Sequence, residues 1–212
     1  MGPVALPELS AVYWRPRLDV RSLVRAGRLW TLSTVAQVVP FVGFAIFLAV
    51  AAPVTLPVSL IALVHAWMIP ELYAARGAGV VRPRPGTVDA AESRALGMLA
   101  DLIDRRAYEL HQRSGLVLER GALGVWLIAQ AGAVLIRPGG RRVHCYCVAV
   151  RERDLPGPDR VAHLLLALRC DEAGFATVAN LAFSGAAWRL RRRLPKRARV
   201  GLDAGLGLAR SR

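Results

Sequence analysis

The stretch that decides the architecture is LWTLSTVAQVVPFVGFAIFLAVAAPVTLPVSLIALVHAWMIP, residues 29–70, in which 42 consecutive positions hold no Asp, Glu, Lys or Arg. One continuous helix of that length would measure about 63 Å, roughly twice the hydrocarbon thickness of a bilayer. Two spans of about 20 residues joined by a turn fit better. Pro53 and Pro57 support the division, because each lacks an amide donor and together they bracket the place where the helix must break. The pattern predicts spans over residues 32–51 and 58–74. Pro40, close to Gly43, predicts a kink in the first.

The flanks set the orientation. Arg15, Arg17, Arg21, Arg25 and Arg28 precede the first span, Arg76, Arg82 and Arg84 follow the second, and the turn between carries no charge. Basic residues are in excess on the cytoplasmic side, so the expectation is a multi-pass protein of the cell (inner) membrane with both termini cytoplasmic. Trp30, Trp67 and Tyr73 would then fall at one interface, where amphipathic rings are favoured. Two other readings compete. Ala49-Val50-Ala51 resembles a signal-cleavage site, but the apolar region ahead of it is too long and starts too late. A buried hairpin in a water-soluble protein would need an amphipathic break that the tract lacks. Two ionisable residues sit in the second span. His65 suits a ring bonded to a carbonyl, or to Gln37 or Thr34 of the first span, and Glu71 suits a carboxylate at the water interface.

The whole chain has 212 residues, 54% of them hydrophobic, with 29 basic and 15 acidic side chains and a net charge of +14. Disorder throughout is excluded by the apolar content, and a collagen-like or disulfide scaffold by the absence of a glycine period and by only three cysteines. The composition implies a basic N-terminal segment (residues 1–28), a hairpin (29–75), a linker (76–88) marked by Pro83-Arg84-Pro85-Gly86, and an aqueous α+β domain over 89–200. Within that domain Leu96, Leu99, Ala100, Ile103, Ala107 and Leu110 recur at helical spacing and predict a helix over 90–113, capped by Thr87 or Asp89, with Asp101–Arg105 and Glu109–Arg113 as pairs on its exposed face. Apolar runs at 116–118, 125–129, 133–136 and 143–150, separated by turn residues, predict an antiparallel meander, most clearly across Pro138-Gly139-Gly140. The nearly continuous middle runs imply a sheet covered on both faces. A helix capped by Asp159 and ended by Gly174 is expected next, then an ambiguous stretch at 175–183, a short basic helix over 186–194, and a mobile Gly-rich tail from 201 to 212. The cover of the second sheet face is left open between the C-terminal segment, another subunit and the N-terminal tail.

Two clusters could carry chemistry. Cys145 and Cys147 share a strand face, and His163 and Cys170 share a helix face, so packing one on the other would assemble a Cys₃His set suited to zinc or copper. Against this, neither pair has the spacing of common zinc knuckles, and free cysteine also packs as a small hydrophobe. Trp188, Arg189, Arg191, Arg192, Arg193, Lys196, Arg197 and Arg199 form a basic segment interleaved with apolar residues, which suits anionic lipid headgroups. A solvated surface or nucleic-acid phosphates are the alternatives. Arginine outnumbers lysine 28 to 1, so part of the basicity can reflect codon usage. No phosphate-binding loop, dinucleotide fingerprint, H-E-x-x-H or G-x-S-x-G motif is present. The sequence therefore favours a membrane-anchored binding domain without a cofactor. Its partners would be the bilayer, anionic headgroups, and a protein or a second copy of the chain. A metal-dependent sensor or enzyme and a tethered nucleic-acid binder are the alternatives.

Overall fold

Asp19 opens the first helix with a reciprocal cap. Its carboxylate accepts from the Ser22 amide at 2.7 Å, and the Ser22 hydroxyl accepts from the Asp19 amide at 2.8 Å. A computed structural model describes residues 17–83, 90–148 and 155–211. In it, α1 runs Val20–Ala51 through Pro40, and α2 runs Leu56–Val80 with Pro70 inside it. A single 3₁₀ turn at Pro53–Thr55 joins them, where the Thr55 hydroxyl donates to the carbonyls of Leu48 and Ala52. Both helices extend beyond the predicted spans at their charged ends. At 1.5 Å per residue, 32 residues make α1 about 48 Å long, some 18 Å more than a hydrocarbon core. Polarity ends an apolar span without ending the helix, because Arg is a good helix former.

The remaining elements are α3 (Ala90–Leu102), α4 (Arg105–Ser114), β1 (Val117–Arg120), β2 (Val125–Ala129), β3 (Gly132–Ile136), β4 (Arg142–Cys147), α5 (Gly157–Cys170), α6 (Glu172–Val178), β5 (Asn180–Ala186), α7 (Ala187–Arg193) and α8 (Lys196–Arg210). The strands form one antiparallel sheet in chain order, a meander as predicted, extended by a fifth strand. The turn between β3 and β4 uses the left-handed conformations of Gly139 and Gly140 (φ +82° and +67°), which explains the Pro-Gly-Gly signal. Its Gly139 amide donates to the Ala209 carbonyl of α8 at 2.8 Å.

β2 and β3 are buried at every position. On one face Val125, Leu127, Val134, Ile136, Val143 and Cys145 pack with α7, α8 and the end of α2 (Ala74, Ala78, Val80). On the other, Trp126, Ile128, Leu135 and Tyr146 pack with α3, α5, α6 and Leu23 of α1. The C-terminal segment is thus what closes the second face, together with one leg of the hairpin. Both α1 and α2 contact β5, one from each face of the sheet, so the hairpin straddles this edge strand.

Several expectations need correction. The helix expected over 90–113 is two helices, because Asp104 caps a new start by accepting from the Ala107 amide at 2.7 Å. The ion pair on its face is Arg105–Glu109. The next helix begins at Gly157, ahead of Asp159, and ends at Cys170. Asp171 then caps α6 by accepting from the Gly174 amide, so that glycine starts a helix where it was expected to end one. The tail expected to be mobile forms α8, in which Gly201, Leu202, Gly205, Leu206 and Ala209 make one buried face. The helix lacked an apolar period because small residues fill the positions nearest the sheet. The proposed caps at 87 and 89, the breakers at 84–86 and the end of the predicted strand at 149–150 lie outside the described residues.

Candidate functional site

The Cys/His set does not come together. Cys145 is buried against α2 and α8, whereas His163 and Cys170 are exposed on α5, which packs on the opposite face. Among the described residues no group of three or more His, Cys, Asp or Glu is placed to hold a metal ion. Burial pushes the Cys145 thiol well above its ordinary range and keeps it protonated.

The basic segment divides into structural and outward-facing cations. Arg191 makes a two-pronged pair with Asp203 of α8 at 2.8 and 2.9 Å, and these bonds hold the Asp203 carboxyl below its ordinary range. Arg193 donates at 2.9 and 2.6 Å to Glu71, a carboxylate only 3% exposed on α2. The residue expected at the water interface is therefore a buried clasp between hairpin and domain. Arg197 donates to the carbonyls of Gln112 and Arg113 at the end of α4, and Arg199 to those of Leu194 and Arg192. What remains outward is Lys196 together with Arg189 and Arg192, whose guanidinium groups lie 5.1 and 5.9 Å from the ring centre of exposed Trp188.

α7 sits beside α2 at the level where the uncharged tract ends. The Arg193–Glu71 pair fixes that height, and Arg189 lines a cleft with Val35 of α1 and Pro70 of α2. The cleft encloses about 240 Å³ between the two helices, the edge of β5 and Arg142 of β4. Its aromatic wall is Trp30, packed edge-on against Tyr73 (5.6 Å between ring centres) and Phe183 (6.5 Å). Tyr73 donates to Gln37 at 2.8 Å, linking the two helices. Arg142 donates to the Gly27 carbonyl and, at 2.8 Å, to the Thr31 hydroxyl, anchoring α1 to the sheet. Within the hairpin, His65 donates to the Ile61 carbonyl at 2.9 Å and stacks on Phe41, one of the arrangements expected of it.

At the base of this junction, His144 of β4 lies opposite Ser184 of β5. Both are buried, and neither His144 ring nitrogen nor the Ser184 hydroxyl has a hydrogen-bond partner. Burial, with Arg137 and Arg142 nearby, pushes the His144 pKa down to about 3, so the ring is neutral. Strand alternation puts His144 on the face opposite Cys145 and Cys147, but nothing in the sequence pattern singles out Arg142 or Ser184. They meet only through the pairing of β4 with β5, which no spacing encodes. Compared with family models, curated proteins and solved structures, the chain matches none.

Proposed function

We propose that this is an integral membrane protein whose hairpin anchors a basic α+β binding domain, with α7 lying on an anionic lipid surface. The observation that carries the reading is the exposure of the apolar tract. Leu32, Val39, Phe44, Phe47, Val50, Leu60, Ile61 and Leu72 are all exposed on two helices long and apolar enough to cross a membrane. A soluble protein rarely leaves so large a contiguous apolar surface to water. The height of Trp188, Arg189 and Arg192 beside Pro70 and Glu71 supports the headgroup contact, since that is where an interface would fall. The common orientation of both helix ends is supported by the N-terminal leg. There the Leu18 amide donates to Thr177 at 2.9 Å and Arg17 pairs with Asp171, so the start of α1 and the domain lie on one side. The arginine flanks support a cytoplasmic assignment for that side, and with it the inner membrane.

Sedimentation after alkaline extraction tests the anchor: the full chain is expected in the pellet, and its release to the supernatant overturns the reading. C-terminal reporter fusions test sidedness, with cytoplasmic fluorescence expected and periplasmic phosphatase activity refuting it. A nitroxide attached through Trp188→Cys, in a chain whose Cys147 and Cys170 are replaced by Ser, tests the surface contact. It should report headgroup depth in bilayers containing anionic lipid, and full exposure to water-soluble relaxants would remove α7 from the membrane.

A further inference from the structure

The cleft between α1, α2 and β5 differs from two other basic hollows among the described residues. The hollow beside α8 contains Asp203, which already neutralises Arg191, and the one beneath α4 contains Asp104 and Glu119. Two arginines, Arg142 and Arg189, and no carboxylate are among the residues that line the junction cleft. Glu71, next to lining residue Pro70, is turned away into its bond with Arg193. Two cations facing one small hollow without a counter-charge repel each other unless an anion joins them.

The second observation is Ser184. It lines the same cleft, is 2% exposed, and its hydroxyl has no hydrogen-bond partner. A buried donor without a partner is unfavourable, and a ligand oxygen would satisfy it. Arg142 is held in place by its bonds to Gly27 and Thr31, and a guanidinium with N–H groups to spare suits phosphate oxygens. At about 240 Å³ the cleft falls below the ~300–1,000 Å³ of drug-sized pockets and suits a headgroup fragment. Val35 and Pro70 at its rim continue into the exposed apolar flank of the hairpin, where acyl chains would run.

We propose that this cleft binds one phosphate group, gripped by Arg142 and Arg189 with the Ser184 hydroxyl donating at its base, and that the group is carried by an anionic phospholipid. The lipid source rests on the membrane reading given above. The phosphate chemistry does not.

Native mass spectrometry of the full chain in lipid-free detergent tests this with phosphatidylglycerol, phosphatidylcholine or inorganic phosphate added. Wild-type protein should retain a single phosphatidylglycerol under conditions that strip phosphatidylcholine. Ser184→Ala, which removes only an unpartnered hydroxyl, and Arg189→Gln should each weaken retention about tenfold, equivalent to about 1.4 kcal/mol. Arg94→Gln, exposed on α3 and outside both the cleft and the basic segment, should leave it unchanged. Inorganic phosphate separates the sources. Retention of phosphate alone, with the same sensitivity to Ser184→Ala, supports a free-anion site, and retention of the lipid alone supports a headgroup site. Binding of neither, or equal binding by the Ser184→Ala chain, overturns the proposal. A chain that sediments with membranes yet fails this test keeps its anchor and loses the site.

Discussion

Lowering the pH should destabilise this fold through one buried ring before most carboxylates titrate. An unfolded histidine protonates near pH 6.5, whereas His144 in the folded chain does so only at about 3. Between those values the unfolded chain binds a proton that the folded one refuses. The contribution is therefore complete above pH 6.5 and is lost as pH falls, by about 1.4 kcal/mol per pH unit. From pH 6.5 to 5 the loss is about 2 kcal/mol, and for a chain of this size that lowers Tm by about 4–8 °C. Thermal unfolding of the full chain in detergent, followed by near-ultraviolet circular dichroism at half-unit pH steps, reads this slope. His144→Leu, similar in volume, should flatten it and should melt no lower at pH 7, because two unpartnered ring nitrogens leave the interior with the imidazole. Burial also pushes His111 downward, so the slope is read against a His111→Gln control. An unchanged slope in His144→Leu would refute the reasoning.

The Glu71–Arg193 clasp should be asymmetric. Arg193→Met strands a buried carboxylate and should cost about 3 kcal/mol, while Glu71→Met should cost less because Arg193 is over a third exposed and can hydrate. The double Met variant should recover most of the loss, giving a coupling that a double-mutant cycle of melting temperatures detects. Two glycines of α2 should respond in opposite directions. A Cβ at Gly77 would lie 2.6 Å from Phe183 Cβ, so Gly77→Ala should lower stability by about 1–3 kcal/mol. Gly79 has open space around it, and Gly79→Ala should raise stability by about 0.5–1 kcal/mol, both read in the same melts.

The hairpin and the meander were legible because their signals are local. A tract of 42 uncharged residues leaves little choice, and β2 and β3 are apolar throughout because both their faces are buried. The break at Asp104 was hidden because the helical period runs on through Ile103 and Ala107, so only the cap distinguishes one helix from two. α8 was hidden because Gly201 and Gly205 bring it close to Leu116 and Ile136 and contribute no hydrophobic signal of their own. The basic segment was found as a set, yet its division into clasps and free cations depends on Glu71 and Asp203, which come from other helices. The metal set fails for a topological reason: it requires the face of β4 bearing Cys145 to meet α5, and that face belongs to α2 and α8.

The way the hairpin meets the sheet has a consequence for where the folding unit ends. An edge strand exposes unpaired backbone and must be protected. Here the protection of β5 is the hairpin itself, with Leu23 of α1 on one side and Ala74, Gly77 and Ala78 of α2 on the other. A fragment of residues 87–212 would keep every strand yet bare this edge, expose the Phe183 side chain that fits against Gly77, and strand Arg193 without Glu71. It should therefore be produced insoluble, or as a species lacking fixed side-chain packing. A fragment beginning at residue 17, with the tract from 32 to 67 replaced by a soluble helical hairpin of equal length, should fold. Dispersed amide signals from the 87–212 fragment alone would show that the aqueous domain is independent of its anchor. In that case a shift of α1 against α2 could not reach the sheet through β5, and the rigid coupling argued from Gly77, Arg142 and Glu71 would fail with it.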